Sequence, residues 1–213
     1  VDEIDAFGDQ AKTYEAMQNV LAWNTIYDPF NNRVIATGSR DLNKNWGGWI
    51  LFNHDSFFNA LMYGLNQKYY AYAISGEGFI PAYRTAFNSE KSSDHTHPPI
   101  GSMVCKMIYD KYPEDWFLEE VYDVLLSWNR WWEKERNNQG YLCWGSDPYT
   151  DHNFSNSKQG AMWESGMDQS VLFDDVPFNR QKNLMELASV GLMSLYIKDC
   201  MELASIAEIL EKT

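Results

Sequence analysis

Two carboxylates stand beside a tryptophan in one glycine-bearing stretch, Trp163-Glu164-Ser165-Gly166-Met167-Asp168. Cleaving a glycosidic bond needs one carboxylic acid to protonate the leaving oxygen. It needs a second carboxylate across the sugar, to direct water or to attack the anomeric carbon. An aromatic neighbour desolvates a carboxyl and keeps it protonated near neutrality. The same pattern also describes an acidic surface loop with a tryptophan turned into the core. In Phe52-Asn53-His54-Asp55-Ser56-Phe57-Phe58, a carboxylate opens a helix among large aromatics. It can hold two adjacent hydroxyls of a sugar ring, or cap a helix above a core patch. His95-Thr96-His97 would turn two imidazoles the same way on an extended segment. A third metal ligand at a set spacing is missing, and His54 and His152 are isolated, so solvated or hydrogen-bonding histidines are the simpler reading. Ser165 follows Glu164 rather than sitting in a Gly-x-Ser-x-Gly elbow, and the chain has no glycine-rich phosphate loop. Cys105, Cys143 and Cys200 are scattered singly, which suits neither a disulfide framework nor a zinc site. Cys105 falls on an apolar helical face and is expected in the core. No metal or cofactor is expected.

Composition narrows the partners. Of 213 residues, 9 are Trp, 13 Tyr and 11 Phe, so 15% are aromatic. Such residues fill cores, and tryptophan also stacks on the apolar face of a sugar. With 17 basic and 30 acidic residues the net charge is −13. Nucleic acid and anionic membranes are therefore poor partners. No apolar run approaches the ~18 residues of a membrane span. The acidic start, Val1-Asp2-Glu3-Ile4-Asp5, lacks a signal-peptide layout. The compartment stays open between the cytoplasm and the periplasm or exterior after signal removal.

Helices must position these residues. Tyr14, Met17, Val20, Leu21 and Asn24 share a face, which predicts a helix over about 12–26. Residues 33–48 read as a loop or short hairpin. A second helix is expected from Asp55 to about 73. A third follows Pro98-Pro99, with Ile100, Met103, Val104, Met107 and Ile108 on its apolar side. Pro113 opens a fourth, in which Leu118, Val121, Tyr122, Leu125, Trp128 and Trp132 repeat at helical spacing until Asn137-Asn138-Gln139-Gly140 stops it. Residues 137–180 are irregular, rich in glycine and aromatics, and a loop that long is usually functional. The span 183–211 reads as one long helix or two. Its Leu184–Ile197 part is apolar nearly all round and is expected to be buried on both sides. The class is all-α, with no domain boundary.

Several runs together resemble glycoside hydrolase family 63. They are Ala22-Trp23-Asn24-Thr25-Ile26-Tyr27-Asp28, His54-Asp55-Ser56-Phe57-Phe58, Pro98-Pro99-Ile100-Gly101-Ser102, Trp128-Asn129-Arg130-Trp131-Trp132 and Tyr141-Leu142-Cys143-Trp144-Gly145-Ser146. The most specific run is Glu164-Ser165-Gly166-Met167-Asp168-Gln169-Ser170, similar to the Glu-Ser-Gly-x-Asp signature shared with trehalases. The likeness spans nearly the whole chain and points to bacterial α-glucosidases and mannosyl-oligosaccharide glucosidases. It implies an (α/α)6 toroid and an inverting, exo-acting attack on a terminal α-glucosyl or related α-glycosyl residue. It implies Asp168 as general acid and Asp55 as a hydroxyl ligand of the terminal sugar. His54, His97, Trp144, Trp163 and Glu164 would line the substrate site. The substrate would be an oligosaccharide or a small α-glucoside.

The departures carry information too. His54 stands where relatives have Trp, and His97 where they have Gln, which would retune hydroxyl contacts. The span from Lys68 to Phe79 is shorter than in relatives. Twelve helices of about 12–15 residues each need more chain than this. The family's general base, a Glu far towards the C-terminus, has no counterpart. Residues 1–213 are thus expected to be a single partial domain, the N-terminal half of the catalytic toroid, truncated at its C-terminal side. Its apolar helices would then mediate self-association or receive the missing half. The alternative is a non-catalytic carbohydrate-binding or structural helical module.

Overall fold

The computed structural model describes residues 5–29, 32–40, 49–66, 79–85, 91–150 and 153–212. Six α-helices form its frame among these residues: α1 (Ala11–Asn24), α2 (Asn53–Asn66), α3 (Gly101–Lys111), α4 (Asp115–Arg136), α5 (Lys158–Ser165) and α6 (Val190–Ile209). Helix α3 is the hub, packing against α2, α4 and α6, while α4 also meets α6 and α1 leans on α2.

Helix α4 shows why the core forms where it does. Leu118, Val121, Leu125, Trp128, Trp132 and Arg136 recur three or four residues apart and are all buried. Asp115 in its first turn and Lys134 and Arg136 in its last suit the helix dipole. One continuous core runs from Phe57 through Val104, Leu118, Trp128 and Trp132 to Leu192 and Ile206. Cys105 is fully enclosed in it, as expected. Among the described residues, no helix is long and apolar enough to cross a membrane.

Strands occur beyond the one short hairpin that was expected as an alternative to a loop over 33–48. Among the described residues, four antiparallel pairs of two strands join the helices. β1 (Thr25–Asp28) pairs with β2 (Arg33–Ala36), ending α1 two residues early because Thr25, Ile26 and Tyr27 favour a strand. β3 (Ile50–Phe52) pairs with β4 (Tyr83–Thr85) and leads into α2. β5 (Asn137–Asn138) and β6 (Tyr141–Leu142) close on Gln139 and Gly140, both at positive φ, a two-residue hairpin turn. β7 (Phe178–Asn179) pairs with β8 (Leu184–Met185).

The C-terminal helix is therefore shorter than expected. Residues 184–185 are strand, and the Ser189 hydroxyl caps α6 by accepting from Leu192 N–H. Its burial is one-sided. Leu192, Asp199, Leu203 and Ile206 face inward, while Val190 is 81% exposed and Met201 63%. Two-sided burial from 184 to 197 is not reached within this chain, and the exposed helix start near residue 190 is what a missing second layer was expected to leave. The expected tail of the second helix, nearly all of the short span from Lys68 and residues 41–48 of the expected 33–48 loop lie outside the described residues.

Candidate active site

The site is built on a buried ionic knot. Arg136, the last residue of α4, sends Nε to both oxygens of Glu164, at 3.1 and 2.9 Å. Its two terminal nitrogens reach Asp147 Oδ1 and Oδ2 at 3.1 and 3.0 Å. Glu164 also accepts from the backbone N–H of Gly145 at 2.6 Å and of Thr96 at 3.2 Å. Both Glu164 and Arg136 have no exposed surface. One carboxylate thus ties the end of α4, the 145–147 loop, the 94–97 segment and α5 together. Burial pushes the Glu164 carboxyl up, against the pull of Arg136 and the two N–H groups. Burial alone would depress Arg136, but the Glu164 and Asp147 carboxylates hold it above its ordinary value. Glycine is required at 145, because a Cβ there would lie 2.7 Å from both Arg136 Nε and Asn183 O.

This knot aims the stretch that follows it. Helix α5 starts with the Ser157 hydroxyl accepting from Gly160 N–H and ends at Gly166, in the left-handed region at φ 69°. That turn, fixed by Ser165 Oγ accepting from Met167 N–H at 3.0 Å, redirects the chain toward Asp168. Ser165 therefore shapes the turn. Asp168 is exposed as a residue, yet its carboxyl is pushed up by partial burial, opposed by its own backbone N–H and by His95.

Three imidazoles stand around this turn. The 94–97 segment is anchored by Trp128 Nε1 on Thr96 Oγ1 at 3.1 Å and by Ser92 Oγ on the His95 carbonyl at 2.9 Å. His97 Nδ1 accepts from the His54 backbone N–H at 3.2 Å, which places the proton of a neutral His97 on Nε2. Burial drives His97 down to about 3, helped by His54 and His95. Burial also lowers His54, with Asp55 opposing. The His54 and His97 rings lie 6.0 Å apart, and a Cβ at Gly166 would sit 3.6 Å from His54 Nδ1. Asp55 lies in the first turn of α2, its carboxyl against Gly38. His95 is 2% exposed, with Nδ1 2.8 Å from Asp94 Oδ1 and its ring 6.0 Å from Trp163.

The structure therefore gathers His54, His97, Trp163 and the turn before Asp168, with Asp55 beside His54. It removes two expected pocket residues. Glu164 is spent on the knot, and Trp144 is 2% exposed, edge-on to Trp132 in the core. His95 and His97 are buried partners rather than solvated side chains. The sequence reading missed Asp94, Arg136 and Asp147. One signal was available for Arg136: it continues the buried α4 row that ends at Trp132, and a cation on an apolar face demands a partner. Among the described residues, no group of three or more His, Cys, Asp or Glu could hold a metal ion. A surface hollow lined by Asp123, Leu126, Ser127, Arg130, Trp131 and Lys134 contains none of the candidate residues.

Known structures share this fold. An uncharacterized conserved protein from Thermus thermophilus superposes with a TM-score of 0.69 at 17% identity, over 94% of this chain and 58% of that one. A GH63 mannosylglycerate hydrolase from the same organism, in complex with glucose, gives 0.68 at 16% identity, again over 94% and 58%. The hydrolase in complex with Tris gives 0.55 at 17% identity, over 93% and 51%. The chain thus spans under two thirds of the length of the structures it matches. Comparison with curated proteins gives no match. Residues 50–213 match the mannosylglycerate hydrolase MGH1-like glycoside hydrolase domain, and the resemblance to glycoside hydrolase family 63 holds. Helices α2 to α6, the knot and the Glu-Ser-Gly-x-Asp turn fall within that match, and the chain belongs to the MGH1-like glycoside hydrolase domain family.

Proposed function

We propose that this chain is the acid-bearing part of an inverting, exo-acting glycoside hydrolase that removes a terminal α-glucosyl or related α-glycosyl residue. Asp168 is the general acid. The observation that carries this reading is the Glu-Ser-Gly-x-Asp turn that the Arg136–Glu164 knot fixes in place. Partial burial pushes the Asp168 carboxyl up from its ordinary value, the direction a general acid needs. His54 and His97, held neutral, offer N–H and N: groups suited to sugar hydroxyls rather than to an anion. Asp55 and Trp163 contribute a hydroxyl acceptor and an aromatic wall.

A relative named as a mannosylglycerate hydrolase and solved with glucose supports a small hexoside as substrate. The second carboxylate is a Glu from outside residues 1–213, in the other half of an (α/α)6 toroid. It would stand about 6.5–9.5 Å from Asp168, leaving room for the attacking water.

In the protein that carries both carboxylates, Asp168→Asn should cut kcat on a poor leaving group by roughly 10²-fold or more, with far less effect on binding. An activated leaving group should recover part of that rate. Near-wild-type turnover of the poor substrate by the variant would remove Asp168 from the role. Binding of α-glucosides without turnover in the unsubstituted protein would favour a carbohydrate-binding module instead.

A further inference from the structure

Phe154 is large, apolar and 49% exposed, yet its backbone is tied down. It lies in a turn over 153–156, just ahead of α5. The Ser157 hydroxyl donates to the Phe154 carbonyl at 2.5 Å and accepts from Gly160 N–H at 3.2 Å, so the cap of α5 also fixes Phe154. Asn156, at φ 49°, donates its backbone N–H to the Asp147 carbonyl at 3.2 Å and its Nδ2 to the Arg180 carbonyl at 3.3 Å. The Asp147 carboxylate is in turn held by both terminal nitrogens of Arg136. The knot that anchors the Glu-Ser-Gly-x-Asp turn thus anchors this turn as well.

The Phe154 ring meets Trp163. Their centroids lie 5.1 Å apart with planes at 76°, an edge-on contact. Trp163 is in the last turn of α5, and its carbonyl accepts from Gly166 N–H at 3.1 Å, so the same residue closes the turn ahead of Asp168. The Trp163 ring also stands 6.0 Å from His95. The three rings form a row that runs outward: His95 is 2% exposed, Trp163 is half-buried, and Phe154 is open over about half its surface. A single exposed aromatic needs no explanation. One pinned at a right angle to a tryptophan of the candidate site makes a corner with an open wall.

A pocket that takes a terminal sugar end-on holds that sugar deepest and its leaving group towards solvent. The outermost ring of the row then meets the leaving group. One face of a hexose is a patch of C–H groups, which an aromatic face attracts and shields from water. We propose that Phe154 is a specificity-determining residue, which with Trp163 forms an aromatic corner that stacks on a leaving group that is itself a sugar ring. The substrate class is then a glycosyl sugar rather than a glycoside of a short acyclic alcohol. This rests on the chain being part of an exo-acting glycoside hydrolase with Trp163 at its site.

The test compares α-linked diglucosides with methyl α-glucoside in the protein that carries both carboxylates. The two share the terminal sugar and differ in the ring that follows it. Phe154→Leu keeps apolar bulk and removes the aromatic face. The preference for the diglucoside, as a ratio of kcat/KM values, should fall roughly 2–10-fold in Phe154→Leu, mostly through KM. Phe154→Tyr, which keeps the ring, should restore it. A Phe154 that only props Trp163 would slow both substrates together, and an unchanged ratio in Phe154→Leu overturns the proposal. Calorimetric titration with the same sugars should show the same loss. A wild type that binds the diglucosides no more tightly than methyl α-glucoside also overturns it. The two readings fail separately. A wild type that cleaves neither sugar overturns the glycosidase reading, and cleavage with a ratio indifferent to Phe154 overturns this one alone.

Discussion

Glu164 and Asp199 are both buried almost completely, and they are buried differently. Glu164 meets a guanidinium and two backbone N–H groups in the loop knot. Asp199, at the junction of α3, α4 and α6, meets only neutral donors: the Ser102 N–H at 2.9 Å and Asn129 Nδ2 at 2.9 Å. Burial pushes the Asp199 carboxyl up, against those two contacts. A cation lets a buried carboxylate stay ionised, whereas neutral donors leave it costly to ionise. Burial pushes both carboxyls up, but at the knot a guanidinium opposes that push, whereas at the helix junction only neutral donors do.

The largest test removes the cation. Arg136→Met leaves Glu164 and Asp147 without their counter-charge and should cost roughly 3–5 kcal/mol in urea unfolding. A loss below ~1 kcal/mol would mean the knot is not what secures the loops.

A smaller effect separates the two regions by packing. Gly145→Ala drives a methyl into Arg136 Nε and the Asn183 carbonyl, and a backbone atom cannot step aside. A loss of about 1–3 kcal/mol is expected. Gly101→Ala, at the first residue of α3, meets Leu125 Cδ2 at 2.7 Å, with Trp128 and Phe57 at 3.0 and 3.1 Å. The leucine end can rotate, and a helix gains up to about 1 kcal/mol when glycine is replaced. Thermal melts should therefore rank Gly145→Ala well below Gly101→Ala, and the reverse order would break the comparison.

The smallest effect is a slope. Asp199 has a folded-state pKa above its unfolded one, so the native state binds more protons across that window. Its penalty is absent below the unfolded value of about 3.9 and grows as pH rises through the raised folded value. Asp199→Asn should flatten that fall in stability while changing it by about 1 kcal/mol or less at neutral pH. A slope unchanged from the wild type, measured by urea midpoints at several pH values, would show that Asp199 is not the responsive group.

What was legible in the sequence follows from the range of the forces. The α4 face, from Leu118 to Trp132, is a local periodicity and reads directly. So does the Asp168 stretch, because its residues are contiguous. The β1–β2 pair was only half legible: a hairpin was allowed for within 33–48, but its first strand, Thr25–Asp28, was taken into the helix because the strand preference of three residues counts only once Arg33–Ala36 pairs with them. The role of Glu164 was misread for the same reason. Nothing within four residues of it reveals that Arg136, Gly145 and Thr96 converge there. His54 and His97 were legible as departures from relatives, but their shared hydrogen bond spans 43 positions. Short helix α5 was hidden among glycines, one at 160 where a Cβ would strike Ser146 and one at 166 where the turn needs positive φ.

The Asp199 contact also bears on the order in which the chain can become native. It satisfies the Ser102 N–H, in the first turn of α3, from 97 positions further on. During synthesis at ~5–20 residues per second, that partner emerges about 5–20 s after the helix start it completes. Until then, α3 exists with an open end and with no α6 beside it. The hub of the core is thus made early and closed late, and a newborn chain spends those seconds exposing the apolar row of Val104, Cys105 and Ile108. Chaperone capture, if it occurs, should be strongest on nascent chains halted between these two points and should end once residue 199 is free to fold back.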